Sequence, residues 1–153
     1  MLVISVDLRA AYDPLMGTWK LNLENASWQG GTTYSPGYPV PRSRTCRFEA
    51  SGAGGVKFIS DTVAADGKLR HVEYTVQLDD KDYPVKGDLN SDTVALKRIK
   101  PFITAGTSKK AGKVTSTFSV MIWGNGMIMT IRSKETRNGE TYENVELYNR
   151  VIQ

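Results

Sequence analysis

The sequence predicts an all-β chain folded as an antiparallel up-and-down β-barrel of about 8–10 strands. Three observations carry this. Runs rich in Val, Ile, Thr, Phe and Tyr recur at short intervals, while helical periodicity is nearly absent. Gly, Asn, Asp and Pro punctuate those runs with turn chemistry. The runs also follow one another with no obvious long crossover, and closing such a meander removes the sheet edges that promote aggregation.

The first strand is expected at Thr18–Leu23, followed by Ser43–Ala50, Val56–Val63, Leu69–Leu78 and Tyr83–Asp88. The second half continues with Thr93–Ile99, Ile103–Thr107, Lys113–Trp123, Met127–Lys134 and Tyr142–Val151. Ala65-Asp66-Gly67, Leu78-Asp79-Asp80, Gly87-Asp88-Leu89-Asn90, Gly124-Asn125-Gly126 and Asn138-Gly139 supply residues that tolerate positive φ or close Asx turns. Successive strand residues face opposite sides, so alternation assigns the interior. Cys46, Phe48 and Ala50 share one face with Arg44, and Val72, Tyr74, Val76 and Leu78 share another. Val114, Ser116, Phe118, Val120 and Ile122 form a third inward row, met by Met127, Met129 and Ile131 and by Val145 and Leu147 of the last strand.

At 153 residues, 40% of them apolar and 24% charged, the chain is long enough for one domain with a sizeable core. Residues 16–153 are assigned to the barrel and residues 1–15 to an N-terminal extension. The Leu2–Val6 run is interrupted by Asp7 and Arg9, and no run reaches the roughly 18–20 apolar residues of a membrane span. The chain as given therefore reads as cytoplasmic. One cysteine, Cys46, excludes an internal disulfide, and with one histidine, His71, it excludes the usual His/Cys zinc sites. Asp79, Asp80 and Asp82 lack calcium-loop spacing, so no metal is expected.

The net charge of +4 is unevenly placed. Between Thr93 and Lys134 lie eight basic residues (Lys97, Arg98, Lys100, Lys109, Lys110, Lys113, Arg132, Lys134) and no acidic one. No nucleic-acid-binding signature accompanies them, so they read as a solvated flank.

The stretch from Ser27 to Pro41 is long and carries Trp28, Tyr34 and Tyr38 among glycines and prolines. Loops of this length are usually functional. It reads as a lid over one barrel end or, equally, as an Ω-loop whose aromatics plug the barrel bottom, an edge meeting a second subunit in a homodimer being the other structural reading.

Gly17-Thr18-Trp19-Lys20-Leu21-Asn22, paired with Arg150 in the last strand, resembles the signature of lipocalin-like proteins. There a tryptophan crosses the barrel end beneath an arginine, a cation–π contact whose donors also tie down carbonyls. Further segments extend the resemblance to a bacterial group of small lipocalin-like proteins: Ser35-Pro36-Gly37, Asp66-Gly67-Lys68, His71-Val72-Glu73-Tyr74-Thr75, Lys81-Asp82-Tyr83-Pro84-Val85 and Asp92-Thr93-Val94-Ala95-Leu96-Lys97-Arg98-Ile99. The resemblance implies a calycin-type barrel with a cavity for a small hydrophobic or amphipathic molecule, and it does not imply catalysis. Relatives tend to carry an export signal, and the sequence as given reads without one.

Two functions are weighed. A binding protein would enclose its ligand with Phe48, Phe58, Val72, Val76, Phe118, Val120, Met129 and Leu147, taking polar specificity from Arg44, Tyr74 or Ser116. Cys46 is read as a buried structural thiol in the same lining, and Trp28, Tyr34 and Tyr38 as closing residues. The alternative is a cofactor-independent isomerase, cyclase or lyase that folds a small metabolite beside one acid or base. Tyr74, His71 and Glu73 are its catalytic candidates. The expected partner in either case is a small molecule, with no cofactor and no nucleic acid.

Overall fold

The computed structural model describes residues 13–24 and 31–152. It contains ten strands: β1 (Gly17–Leu21), β2 (Ser43–Ser51), β3 (Gly55–Val63), β4 (Leu69–Gln77), β5 (Tyr83–Lys86), β6 (Thr93–Lys100), β7 (Ile103–Lys110), β8 (Lys113–Trp123), β9 (Ile128–Arg137) and β10 (Glu140–Arg150). Each pairs antiparallel with its chain neighbours, and β1 closes the barrel by bonding both β2 and β10. The all-β, closed antiparallel barrel is the architecture that the alternating pattern predicts. No helix among the described residues is long and apolar enough to cross a membrane.

Turn chemistry explains why the strands reverse where they do. Asn138 and Gly139 both take positive φ (50° and 79°), the conformation of a two-residue hairpin that matches strand twist. Ala111 and Gly112 do the same between β7 and β8 (49° and 79°), where the sequence offers no Asn or Asp. The Ala111 N–H donates to Asp92 Oδ2 at 2.9 Å, which holds alanine in a conformation it seldom adopts. β5 is short, and Pro84 within it has no N–H to give to a ladder, so this side of the wall is joined by few backbone bonds.

One end of the barrel is packed solid. Leu15, Trp19, Leu21, Val56, Val76, Leu96, Ile122 and Met129 are buried there in one apolar cluster. Trp19 is fully buried, donates its indole N–H to Leu15 O at 3.1 Å, and lies under the Arg150 guanidinium at 4.1 Å. Arg150 in turn donates to the carbonyls of Gly126, Met16 and Pro14 at 2.5–2.7 Å. Gly17 has φ of 126°, and a β-carbon there would strike the Arg150 side chain. The Gly-x-Trp and the distant arginine are therefore one packed unit. Asp13 to Leu15, assigned from the sequence to an extension, belong to this floor: Asp13 pairs with Arg98 at 2.6 Å and Leu15 is buried.

The last strand corrects the expected phase. Glu146 and Tyr148 face the interior, whereas Val145 and Leu147 face outward. The outer side of β10 is covered by the chain after β1. Thr33 forms an antiparallel bridge with Val145, and Thr32 Oγ1 accepts the Leu147 N–H at 2.9 Å. Apolar side chains on that side are thus shielded by a crossing segment rather than by the core. The basic flank is partly neutralised, since Lys109 pairs with Asp82 at 3.1 Å, and Lys110 is held by a bond to Leu89 O at 2.6 Å.

Candidate functional site

Above the floor the interior is hollow. A cavity of about 550 Å³ runs to the end of the barrel that carries the β3–β4, β5–β6 and β9–β10 turns. Its volume lies in the range of small-molecule sites. The lower wall is apolar: Phe48, Phe58, Val72, Tyr74, Val94, Phe118 and Val120 line it, with Cys46. Register explains the grouping, because Phe48, Phe58 and Tyr74 are direct partners across β2, β3 and β4. Phe48 and Phe58 sit 5.0 Å apart and Phe58 and Tyr74 4.7 Å, forming an aromatic ladder up one wall. On the far wall the Phe118 ring lies against Gly106, where any β-carbon would collide with it, so glycine lets the ring fold back and keeps the space open.

A belt of paired charges sits above the apolar wall. Arg44 reaches Glu146 at 2.8 Å and donates through Nε to Thr62 Oγ1 at 2.9 Å, while the Tyr148 hydroxyl donates to Glu146 at 3.1 Å. Arg137 pairs with Glu135 and stands 5.2 Å over the Tyr38 ring. A smaller polar annex of about 190 Å³ adjoins, lined by Ser116, Ser133, Asn144 and Glu135 among others. Asp88, Leu89, Asn90 and Ser91 form the rim with Arg70 and Asn138.

Tyr34 and Tyr38 lie across this belt. Their rings stack at 5.3 Å, Tyr34 donates to Glu146 at 2.6 Å, and Tyr38 donates to Glu135 at 3.2 Å. Burial and the neighbouring carboxylates hold both phenols protonated well above their ordinary range. Trp28 falls outside the described residues.

The structure separates the sequence-predicted residues into groups. Arg44, Cys46, Phe48, Phe58, Val72, Tyr74, Phe118 and Val120 meet at the main cavity, and Ser116 at the annex. Val76 and Met129 are packed in the solid floor below it, and Leu147 is on the opposite face of β10. His71 and Glu73 are on the outer wall, because alternation on β4 turns them away from Val72 and Tyr74. There His71 bonds Asp61 at 2.5 Å and Glu73 at 2.8 Å, so neither reaches a molecule inside the barrel. Burial pushes the Cys46 thiol up to about 12, which keeps it uncharged.

The outer triad makes its own prediction. The hydrogen bonds to Asp61 and then Glu73 raise the His71 pKa above its ordinary 6.5. Its contribution to stability is fully present below about pH 6.5 and is lost as pH rises through the raised folded value. As the chain has one histidine, a proton NMR titration reads it alone. Asp61→Asn is expected to bring the midpoint down, and a midpoint already at 6.5 in the unaltered chain would contradict the geometry.

Sequence reasoning missed Glu146, Tyr148, Ser60 and Arg137. A signal for the first existed: an inward Arg44 in a closed barrel demands a buried counter-charge, and Glu146 is the acidic residue of β10 next in phase to Tyr148.

No family model and no curated protein matches the chain. Among solved structures, a redesigned β barrel, mFAP1, bound to DFHBI covers 93% of this chain and 99% of its own, at 11% identity and a TM-score of 0.48. The siderocalin Ex-FABP, described as functioning through dual ligand specificities, covers 90% of this chain and 74% of its own, at 13% identity and a TM-score of 0.48. These are similarities of barrel shape, and the functional reading stands on the cavity.

Proposed function

We propose that the chain binds one small amphipathic molecule inside the barrel. The observation that carries this is the cavity of about 550 Å³, whose lower wall is apolar and whose upper belt offers charged and polar groups. A guest with a greasy body and a polar end matches both zones. Hiding about 200 Å² of apolar guest surface contributes on the order of 5 kcal/mol before entropic costs, which suits useful rather than extreme affinity. We also group the chain with the bacterial lipocalin-like barrels, on the joint arrangement of Gly17, Trp19 and Arg150.

The test is titration with N-phenyl-1-naphthylamine, an uncharged fluorescent probe that the basic flank does not attract. One-to-one saturation is expected, with a melting temperature that rises with probe concentration because the guest binds only the folded barrel. Absence of saturation, with no thermal shift, would overturn the proposal.

A further inference from the structure

Resting on that reading, we infer that the guest carries an uncharged hydrogen-bond acceptor, of the carbonyl class, on a flat conjugated body, and that the Tyr74 hydroxyl receives it. Tyr74 points from β4 into the apolar lower wall, between its partners Phe58 on β3 and Val85 on β5. Of the other tyrosines at the cavity end, Tyr34 and Tyr148 donate to Glu146 and Tyr38 donates to Glu135, while Tyr142 sets its ring edge-on to Tyr38 and does not line the cavity. Tyr74 has no such partner among the described residues, although burial keeps its phenol protonated and able to donate. Among the described residues no buried polar side-chain atom is sealed off without a bond, so this hydroxyl keeps accessible surface, and Tyr74 lines the cavity. A donor held in an apolar wall and facing empty volume is a place for an acceptor that the protein itself does not supply.

The class of acceptor follows from the surroundings. An anion here would need a free cation beside the hydroxyl, and among the described residues the titratable group that acts on Tyr74 is the uncharged Cys46 thiol. Of the arginines lining the cavity, Arg44 and Arg137 are already paired with Glu146 and Glu135, and Arg70 stands at the rim, two inward positions along β4 from Tyr74. A carboxylate would therefore lose its hydration against an apolar wall with nothing to offset the loss, whereas a ketone, quinone or amide oxygen needs one donor. The flat body follows from the ladder of Phe48, Phe58 and Tyr74 on one side and from Phe118, folded onto Gly106, on the other. Two aromatic walls favour a planar guest between them.

A matched pair of probes tests this: 2-acetylnaphthalene and 2-ethylnaphthalene, each displacing N-phenyl-1-naphthylamine from the intact chain and from Tyr74→Phe. The ketone is expected to bind about five- to tenfold more tightly than the hydrocarbon in the unaltered protein, the worth of one hydrogen bond. In Tyr74→Phe that preference should vanish or reverse, with affinity for the hydrocarbon retained. The carbonyl stretch of bound 2-acetylnaphthalene should shift down in the unaltered chain and not in the variant. Because the hydroxyl makes no bond in the empty protein, Tyr74→Phe should melt no lower than the parent, so loss of preference is not loss of fold. An equal preference in both proteins, or none in the parent, would overturn the inference while leaving cavity binding intact. Failure of N-phenyl-1-naphthylamine itself to bind would overturn both.

Discussion

Trp19→Ala is expected to destabilise the barrel by about 3–5 kcal/mol, the range for removing a large buried aromatic side chain. For a chain of this size that is a fall in melting temperature on the order of 10 °C. The effect is large because Trp19 joins three parts of the floor. Its ring fills the space among Leu15, Leu21 and Met129, its N–H satisfies Leu15 O, and its face receives Arg150. Arg150→Lys should recover little of what Arg150→Ala loses. An ammonium on a flexible stem cannot hold the carbonyls of Gly126, Met16 and Pro14 while also covering the indole. Thermal unfolding followed by circular dichroism checks both. If Trp19→Ala melts within about 3 °C of the parent, equivalent to roughly 1 kcal/mol, the floor does not hold the barrel closed.

Glu146→Ala is the second large effect, expected at about 2–3 kcal/mol. Removing one partner of an enclosed ion pair leaves the other charge uncompensated. Here the side chains retain 23% and 12% of their exposure, so the cost falls below that of a fully buried pair. The same substitution removes the acceptor of Tyr34 and of Tyr148, which loosens the segment lying across the mouth. The double variant Arg44→Met with Glu146→Leu should regain part of the loss, because no charge is then stranded and the new side chains extend the apolar wall, while the Tyr34 and Tyr148 hydroxyls still lack their acceptor. Urea denaturation at pH 7 compares the two. A double variant as unstable as the single one would mean that the pair is not the source of the effect.

How far the sequence disclosed this molecule depends on the kind of information asked for. Strand positions and reversals were readable because period-two alternation and positive-φ turn residues are local. Asn138-Gly139 stands between β9 and β10, and Lys113–Trp123 is a strand over its full expected length. The end-capping unit was readable because Gly17, Trp19 and Arg150 are chemically distinctive. Alternation, however, tells inside from outside and not height along the axis. Val76 and Tyr74 share one face, yet the first is sealed in the floor and the second borders the cavity. Phase itself was misread on β10, where the apolar residues Val145 and Leu147 are covered from outside by Thr32 and Thr33. The charged Glu146 is drawn inward by Arg44. The β10 error comes from non-local contacts, a crossing segment and an enclosed ion pair, that no window along the chain contains.

Mapping the bound probe by amide chemical shifts tests the hollow interior most directly. On adding N-phenyl-1-naphthylamine to the nitrogen-15-labelled chain, the account predicts shifts concentrated at Phe48, Phe58, Val72, Tyr74, Phe118 and Val120, whose side chains line the empty space. Ile99, Phe102 and Trp123 are large apolar residues exposed on the outside of the barrel. Shifts confined to those three, with the cavity residues unmoved, would contradict it.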